Sequence, residues 1–241
     1  MRFSRIPKMN VLIRVFLLTT LGLTSAVGQS EDKGRLFSCF VWDDLGMGQM
    51  FYSDGSNYKE LSVRAKRRSE YYPMPSGETF RLFSVKEVNG KMVHKLIGEA
   101  LIKTNSKRLL LIIVRNPASE TDPNVMPLRI VVMDDSISNF PGGSTKFINL
   151  TTKPLTAEIN GNKITVNARA AKILRPSIPE NGGFVPLFIH YQDIELYGTR
   201  IFCQEGERRI IFMRINPKQD RRRPLLIDFL PQVVGPSFAD E

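Results

Sequence analysis

Apolar and polar positions along this chain change over in short runs, with no sustained helical period. Residues 36–42 (LFSCFVW) and 109–114 (LLLIIV) are continuous apolar runs, the pattern of strands covered on both faces. Residues 80–86, 94–102, 128–133, 146–150, 155–159, 163–168, 184–191, 198–203 and 210–215 are further runs rich in β-branched and aromatic residues. Asn89-Gly90 and Asn160-Gly161 each separate two such runs, and both residue types tolerate positive φ, so tight hairpins are predicted there. The pattern predicts an all-β chain.

The pattern also repeats. Residues 98–117 align without gaps on residues 198–217, with Gly98/Gly198, Arg108/Arg208, Asn116/Asn216 and Pro117/Pro217 identical. Leu82-Phe83 matches Leu187-Phe188, and the strand end Trp42-Asp43-Asp44 is set beside Met133-Asp134-Asp135. The second half then gains residues 139–150 before its central hairpin. Agreement in order across several segments predicts an internal duplication. The polar, proline-bearing stretch 116–127 (NPASETDPNVMP) reads as a linker. The expected organisation is a first β-sandwich at 29–116, a linker at 117–127, a second β-sandwich at 128–217 and a basic, apolar tail at 218–241. Within that tail, residues 225–230 are expected to dock as an edge strand. Two tandem antiparallel sandwiches, immunoglobulin-like or related, are the expected fold; one larger sandwich with shared sheets is the alternative.

Residues 1–28 carry the three parts of a secretory signal. Arg2, Arg5, Lys8 and Arg14 form the basic start, residues 15–23 (VFLLTTLGL) the apolar run, and Ala26-Val27-Gly28 the small-residue cleavage site. The run falls short of the roughly 20 residues that span a bilayer. Cleavage after Gly28 and export to the periplasm or beyond are therefore expected, with no transmembrane span in the mature chain. No cysteine directly follows the cleavage site, and Cys39 sits too far along, so a lipid-anchored start is not expected.

Composition narrows the classes further. Hydrophobic residues at 42% supply a real core and exclude wholesale disorder. Two cysteines exclude a disulfide-framework miniprotein and a cysteine-rich zinc module, and two histidines leave little for a His-based metal site. The formal charge of +10 falls to +6 once residues 1–28 are removed, because that segment holds four basic and no acidic side chains. Part of the basic character is a targeting label.

Residues 133–150 (MDDSISNFPGGSTKFINL) carry one distinctive block. On Met133, Asp134, Asp135, Ser136, Phe140, Pro141, Gly143, Ser144, Phe147, Asn149 and Leu150 the chain resembles an uncharacterised family of secreted bacterial proteins. The strand order from Leu36 to Asn216 is similar too. The resemblance implies export and a β fold, and it brings no catalytic residue. Physically, the 140–143 stretch is a turn before a strand.

Candidate chemistry is sparse. Residues 142–146 (GGSTK) place the lysine on the wrong side of the hydroxyls for a phosphate loop, and Ser56-Asn57-Tyr58-Lys59 lacks the helix that a Ser-x-x-Lys nucleophile needs. His94 and His190 have no serine elbow or paired acid nearby. The Asp43-Asp44 and Asp134-Asp135 pairs suit turn hydrogen bonds better than calcium. Cys39 and Cys203 lie at non-equivalent repeat positions. A disulfide between them would staple the halves, and two buried thiols is the alternative reading. Arg64, Lys66, Arg67 and Arg68 beside Tyr71 and Tyr72, with a second cluster at 221–223, are candidates for binding an anionic envelope polymer. The alternative is a solvated loop that keeps an edge strand from pairing.

No cofactor and no nucleic-acid partner are expected. The functional expectation is an exported, non-catalytic protein that binds or assembles with an envelope polymer or another envelope protein. The alternative is a secreted glycan-active hydrolase with Asp134, Asp135 or Glu195 facing one another between the halves.

Overall fold

The central strands are apolar on both faces, and the architecture follows from covering them. The computed structural model describes residues 34–55, 57–216, 218 and 223–234, so the predicted signal segment and residues 221–222 of the second basic cluster lie outside the described residues.

Sixteen strands are named among those residues. The first eight are β1 (Leu36–Val41), β2 (Met50–Ser53), β3 (Tyr58–Leu61), β4 (Tyr72–Pro73), β5 (Thr79–Val88), β6 (Lys91–Leu101), β7 (Arg108–Arg115) and β8 (Leu128–Asp134). They are followed by β9 (Thr145–Asn149), β10 (Leu155–Ile159), β11 (Asn162–Val166), β12 (Ala171–Leu174), β13 (Gly183–Tyr191), β14 (Ile194–Cys203), β15 (Glu207–Ile215) and β16 (Leu225–Val233). They form four four-stranded sheets, ordered β4-β1-β7-β8 and β3-β2-β5-β6 in the first half, and β12-β9-β15-β16 and β11-β10-β13-β14 in the second. Adding eight to each strand number turns one half into the other. The duplication therefore holds at the level of topology, and the fold is two all-β sandwiches.

Three corrections to the sequence reading follow. First, β8 pairs with β7 from Leu109↔Asp134 to Arg115↔Leu128, so residues 117–127 join two neighbouring strands of one sheet. That connection carries a short 3₁₀ turn, Pro117–Glu120, capped by the Asn116 side chain. The passage between sandwiches lies between β8 and β9. Second, β9 is the counterpart of β1, so residues 139–150 contain the first strand of the second sandwich, and Met133-Asp134-Asp135 has no repeat relation to Trp42-Asp43-Asp44. Third, the sheets are not purely antiparallel, because β1 runs parallel to β7 and β9 parallel to β15. The apolar patch at 225–230 is part of β16, which pairs along the whole of β15.

Both predicted hairpin turns are present, with φ of 53° and 75° at Asn89 and Gly90 and of 47° and 79° at Asn160 and Gly161.

Three cores lie between the four layers. Phe37, Cys39 and Val41 of β1 and Leu109, Leu111 and Ile113 of β7 face the outer sheet of their own sandwich. Phe147, Ile211 and Met213 do the same in the second. The other faces of these central strands meet each other. Phe40, Trp42, Leu110 and Ile112 pack with Phe140, Ile210, Phe212 and Leu230 in a third core. The sheets therefore stack as four layers, outer–inner–inner–outer. Full burial of each large apolar side chain contributes about 1.5–3 kcal/mol, so this third core binds the sandwiches together strongly. The outer sheets show the alternation of half-exposed sheets instead, as in β10, where every second residue is buried.

Candidate functional site

The densest group of charged side chains sits beside the third core, where the chain passes from β8 to β9. Asp135 is 1% exposed and Arg208, on β15, is 0% exposed. Asp135 Oδ2 accepts a hydrogen bond from Arg68 Nη1 at 2.6 Å and one from the Tyr71 hydroxyl at 2.8 Å. Arg208 Nη2 lies 3.1 Å from the same oxygen. Arg68 Nη2 donates to Asp135 Oδ1 at 3.2 Å. Arg208 is spread over several acceptors: Nη1 donates to the Phe140 carbonyl, Nη2 to the Asp135 carbonyl and Nε to Gln232 on β16. Gln232 Nε2 in turn donates to the Tyr71 hydroxyl at 2.9 Å. A buried carboxylate is thus shared between cations from both sandwiches, and Tyr71–Gln232 closes a ring around it.

A second ring of contacts holds the connection. Asp134 Oδ1 accepts from the Ser106 and Ser136 hydroxyls, each at 2.7 Å, and from the Ser136 amide, while Asn139 donates to Oδ2. Phe140 lies between two cations, with Lys146 Nζ 4.7 Å and the Arg208 guanidinium 4.8 Å from its ring centroid. Gly142 passes so close to the next hairpin that a Cβ there would be 2.9 Å from the Glu205 carbonyl oxygen. Gly143, at φ +71°, donates its amide to Glu207. Asn149 is fully buried and ties the connection down by donating to the carbonyls of Lys153 and Val166 and accepting from Thr151. The distinctive 133–150 block is therefore the piece that joins the sandwiches.

The electrostatics follow from this packing. Burial alone would raise the Asp135 pKa, but Arg68 and Arg208 and the Tyr71 hydrogen bond outweigh it and hold the carboxyl below the usual range. Partial burial opposes the same effect at Asp134, where hydrogen bonds from Ser136, Ser106 and Asn139 win and lower the pKa to about 2. Burial pushes the Lys146 amine down, against the pull of Asp135 and Asp134. Both carboxylates are held ionised and hydrogen-bonded, which suits bracing and not proton transfer.

The basic cluster splits in two. Arg68 and Tyr71 turn inward to Asp135, and Tyr72 packs against the first core with its hydroxyl on the Ser62 backbone. That corrects the expectation of a single six-residue anion site. Arg64, Lys66 and Arg67 remain exposed, and Lys66 lies 3.9 Å from Asp228. Of the two readings of the cysteines, the structure shows the buried thiols. Cys39 and Cys203 are free thiols in different cores, on opposite sides of the two inner sheets.

The carboxylates of the hydrolase reading do not face one another as a set. Asp135 and Asp134 are held as described, while Glu195 lies on β14 of the far outer sheet beside Gly198. His94 stacks on Tyr58 at 3.6 Å between centroids, and His190 Nε2 is 3.7 Å from Glu158. Asp44 accepts from the Gly46 amide, a turn role. Residues 142–146 lead directly into β9, and Lys59 pairs with Asp54 at 2.8 Å; Ser56 lies outside the described residues. Among the described residues no three His, Cys, Asp or Glu side chains gather as a metal set.

Sequence reasoning missed Arg208 and Gln232. The signal for Arg208 was its identity with Arg108 in the repeat: Arg108 stacks 5.4 Å over the Tyr71 ring, so the equivalent arginines reach one locus.

No protein-family model matches the chain, and no curated protein matches it.

Proposed function

We propose that the chain is an exported, non-catalytic β-sandwich protein of the bacterial envelope or extracellular space that acts by binding or assembly. The observation that carries this reading is the use made of the buried charge. Arg68, Asp135, Tyr71 and Arg208 brace one sandwich against the other, which builds a stiff four-layer block. Such a block presents its outer faces, its edge strands and the exposed cations Arg64, Lys66 and Arg67 at fixed positions, which suits docking to an anionic envelope polymer or another envelope protein. The signal-type pattern of residues 1–28 supports export.

The test is expression of the full chain with a carboxy-terminal tag in a bacterial host, followed by fractionation, amino-terminal sequencing and cross-linking in intact cells. The expected product begins at Gln29, lies outside the cytoplasm and cross-links into larger species. A cytoplasmic product that retains residues 1–28 would overturn export. A chain that cross-links to nothing would overturn the binding role.

A further inference from the structure

The β5–β6 hairpin runs beyond its sheet. β2 reaches β5 only as far as Met50↔Ser84, whereas β5 continues to Val88 and pairs with β6 through Val88↔Lys91. Residues 85–94 are therefore a two-stranded arm with no third strand. The residues beside a two-residue turn form a hydrogen-bonded pair, so Val88 and Lys86 spend their backbone groups on β6. Val85 and Glu87 then turn their N–H and C=O groups toward the free side, where β2 has ended.

The arm's two faces differ. Cross-strand partners share a face, so Ser84/Lys95, Lys86/Val93 and Val88/Lys91 line one side and Val85/His94 and Glu87/Met92 the other. The first side carries three exposed lysines around Val88 and Val93, which are 45% and 47% exposed. Lys86, Lys91 and Lys95 make no ion pair among the described residues, although Lys59, Lys66 and Lys163 elsewhere do. The equivalent β13–β14 hairpin carries no lysine around its turn, where Tyr191, Gln192, Asp193 and Ile194 stand. A lipid surface is disfavoured because the outermost residues, Asn89, Gly90 and Lys91, are the polar ones.

We propose that the free edge of β5 at residues 85–88 takes an extended acidic segment of a partner chain as an added strand. Its carboxylates lie along Lys86, Lys91 and Lys95, and its alternate, apolar side chains lie on the Val85 and Met92 face. Backbone pairing supplies affinity, and the lysine row selects charge and register. This rests on the binding role proposed above and names the partner's chemistry.

The probe is a fluorescein-labelled decapeptide of alternating Glu and Val, titrated with the full-length protein and read by anisotropy. Binding is expected, and it weakens at least tenfold in Lys86→Glu/Lys91→Glu/Lys95→Glu. It weakens similarly in Glu87→Pro, which removes one outward N–H and leaves the hairpin's own bonds in place. Lys163→Ala/Lys172→Ala, at two exposed lysines of the second sandwich, should bind as the parent does, with circular dichroism confirming that each variant is folded. No binding, equal binding of a Glu5Val5 block peptide, or a loss equal in this control variant would overturn the proposal. Self-association without peptide that the lysine variant abolishes would overturn it as well, by making a second copy the occupant. Cross-links in cells that persist in the lysine variant would sink the arm alone, whereas their absence from the parent would sink the binding role itself.

Discussion

Arg68 Nη1 lies 2.6 Å from Asp135 Oδ2, and that carboxylate is also 3.1 Å from Arg208 of the other sandwich. Removing the carboxylate strands two buried guanidiniums beside each other. Breaking such a pair costs about 3–5 kcal/mol, far more than the pair's net worth. Asp135→Ala should therefore lower the urea midpoint by that equivalent with little change in slope. Arg68→Met/Asp135→Leu/Arg208→Met should recover much of the loss, because no unpaired charge is left. A triple variant as unstable as Asp135→Ala would contradict this account.

The same carboxylates set an acid limit. Both Asp134 and Asp135 have folded pKa values below the ordinary 3.8, that of Asp134 at about 2. A depressed folded pKa contributes stability that is complete above the unfolded value and lost as pH falls through the folded one. Stability measured by urea titration should hold down to about pH 4 and fall between about pH 4 and 2. Asn139→Ala, which removes one hydrogen bond to Asp134, should move that fall to slightly higher pH.

How much of this was legible in the chain depends on how local the cause is. The hairpins at Asn89-Gly90 and Asn160-Gly161 need only two residues with positive φ, and the double-faced burial of β7 shows in an unbroken apolar run. β3 and β12 escaped because they are edge strands, with three of four residues of β3 exposed and so no hydrophobic pattern to see. β8 was given to the wrong half because sheet membership is set by pairing with β7 across a polar connection, not by proximity to a proline. At the site, Arg68 and Tyr71 looked like surface chemistry because their partner Asp135 lies more than sixty residues away.

Thiol chemistry checks the separation of the cores. Cys39 is 0% and Cys203 4% exposed, and burial pushes both thiols above their ordinary pKa. Neither should react with a thiol reagent in the native protein, and two equivalents should react in denaturant. Migration on a non-reducing gel should match that on a reducing one. A native protein without titratable thiols after denaturation would show that they had paired.

The single tryptophan reports on the join. Trp42 lies 4.7 Å from the Phe212 ring and 5.3 Å from the Arg214 guanidinium, so its emission senses the third core directly. Because each inner sheet loses the apolar cover of its shared face when the sandwiches part, separation and unfolding should coincide. Tryptophan fluorescence and far-ultraviolet circular dichroism should give one superimposable urea transition. Phe212→Ala should shift both by about 3–5 kcal/mol together. An early fluorescence change with intact circular dichroism would mean that the sandwiches separate before they melt.

Gly142 offers the most local test of the connecting block. An added Cβ would sit 2.9 Å from the Glu205 carbonyl oxygen, a backbone atom that cannot swing away as a side-chain tip would. The turn at Gly142-Gly143 and the 204–207 turn would have to part, which also stretches the Gly143 amide bond to Glu207 and disturbs the Arg208 bonds to the Phe140 and Asp135 carbonyls. Gly142→Ala should therefore destabilise the protein by about 1–3 kcal/mol, the range of an overpacked interior site. Gly90→Ala, at φ +75° with open space around it, should cost about 1 kcal/mol from backbone strain alone. Reversal of that order in thermal denaturation would show that the Glu205 contact yields, and that the block joins the sandwiches less rigidly than its geometry requires.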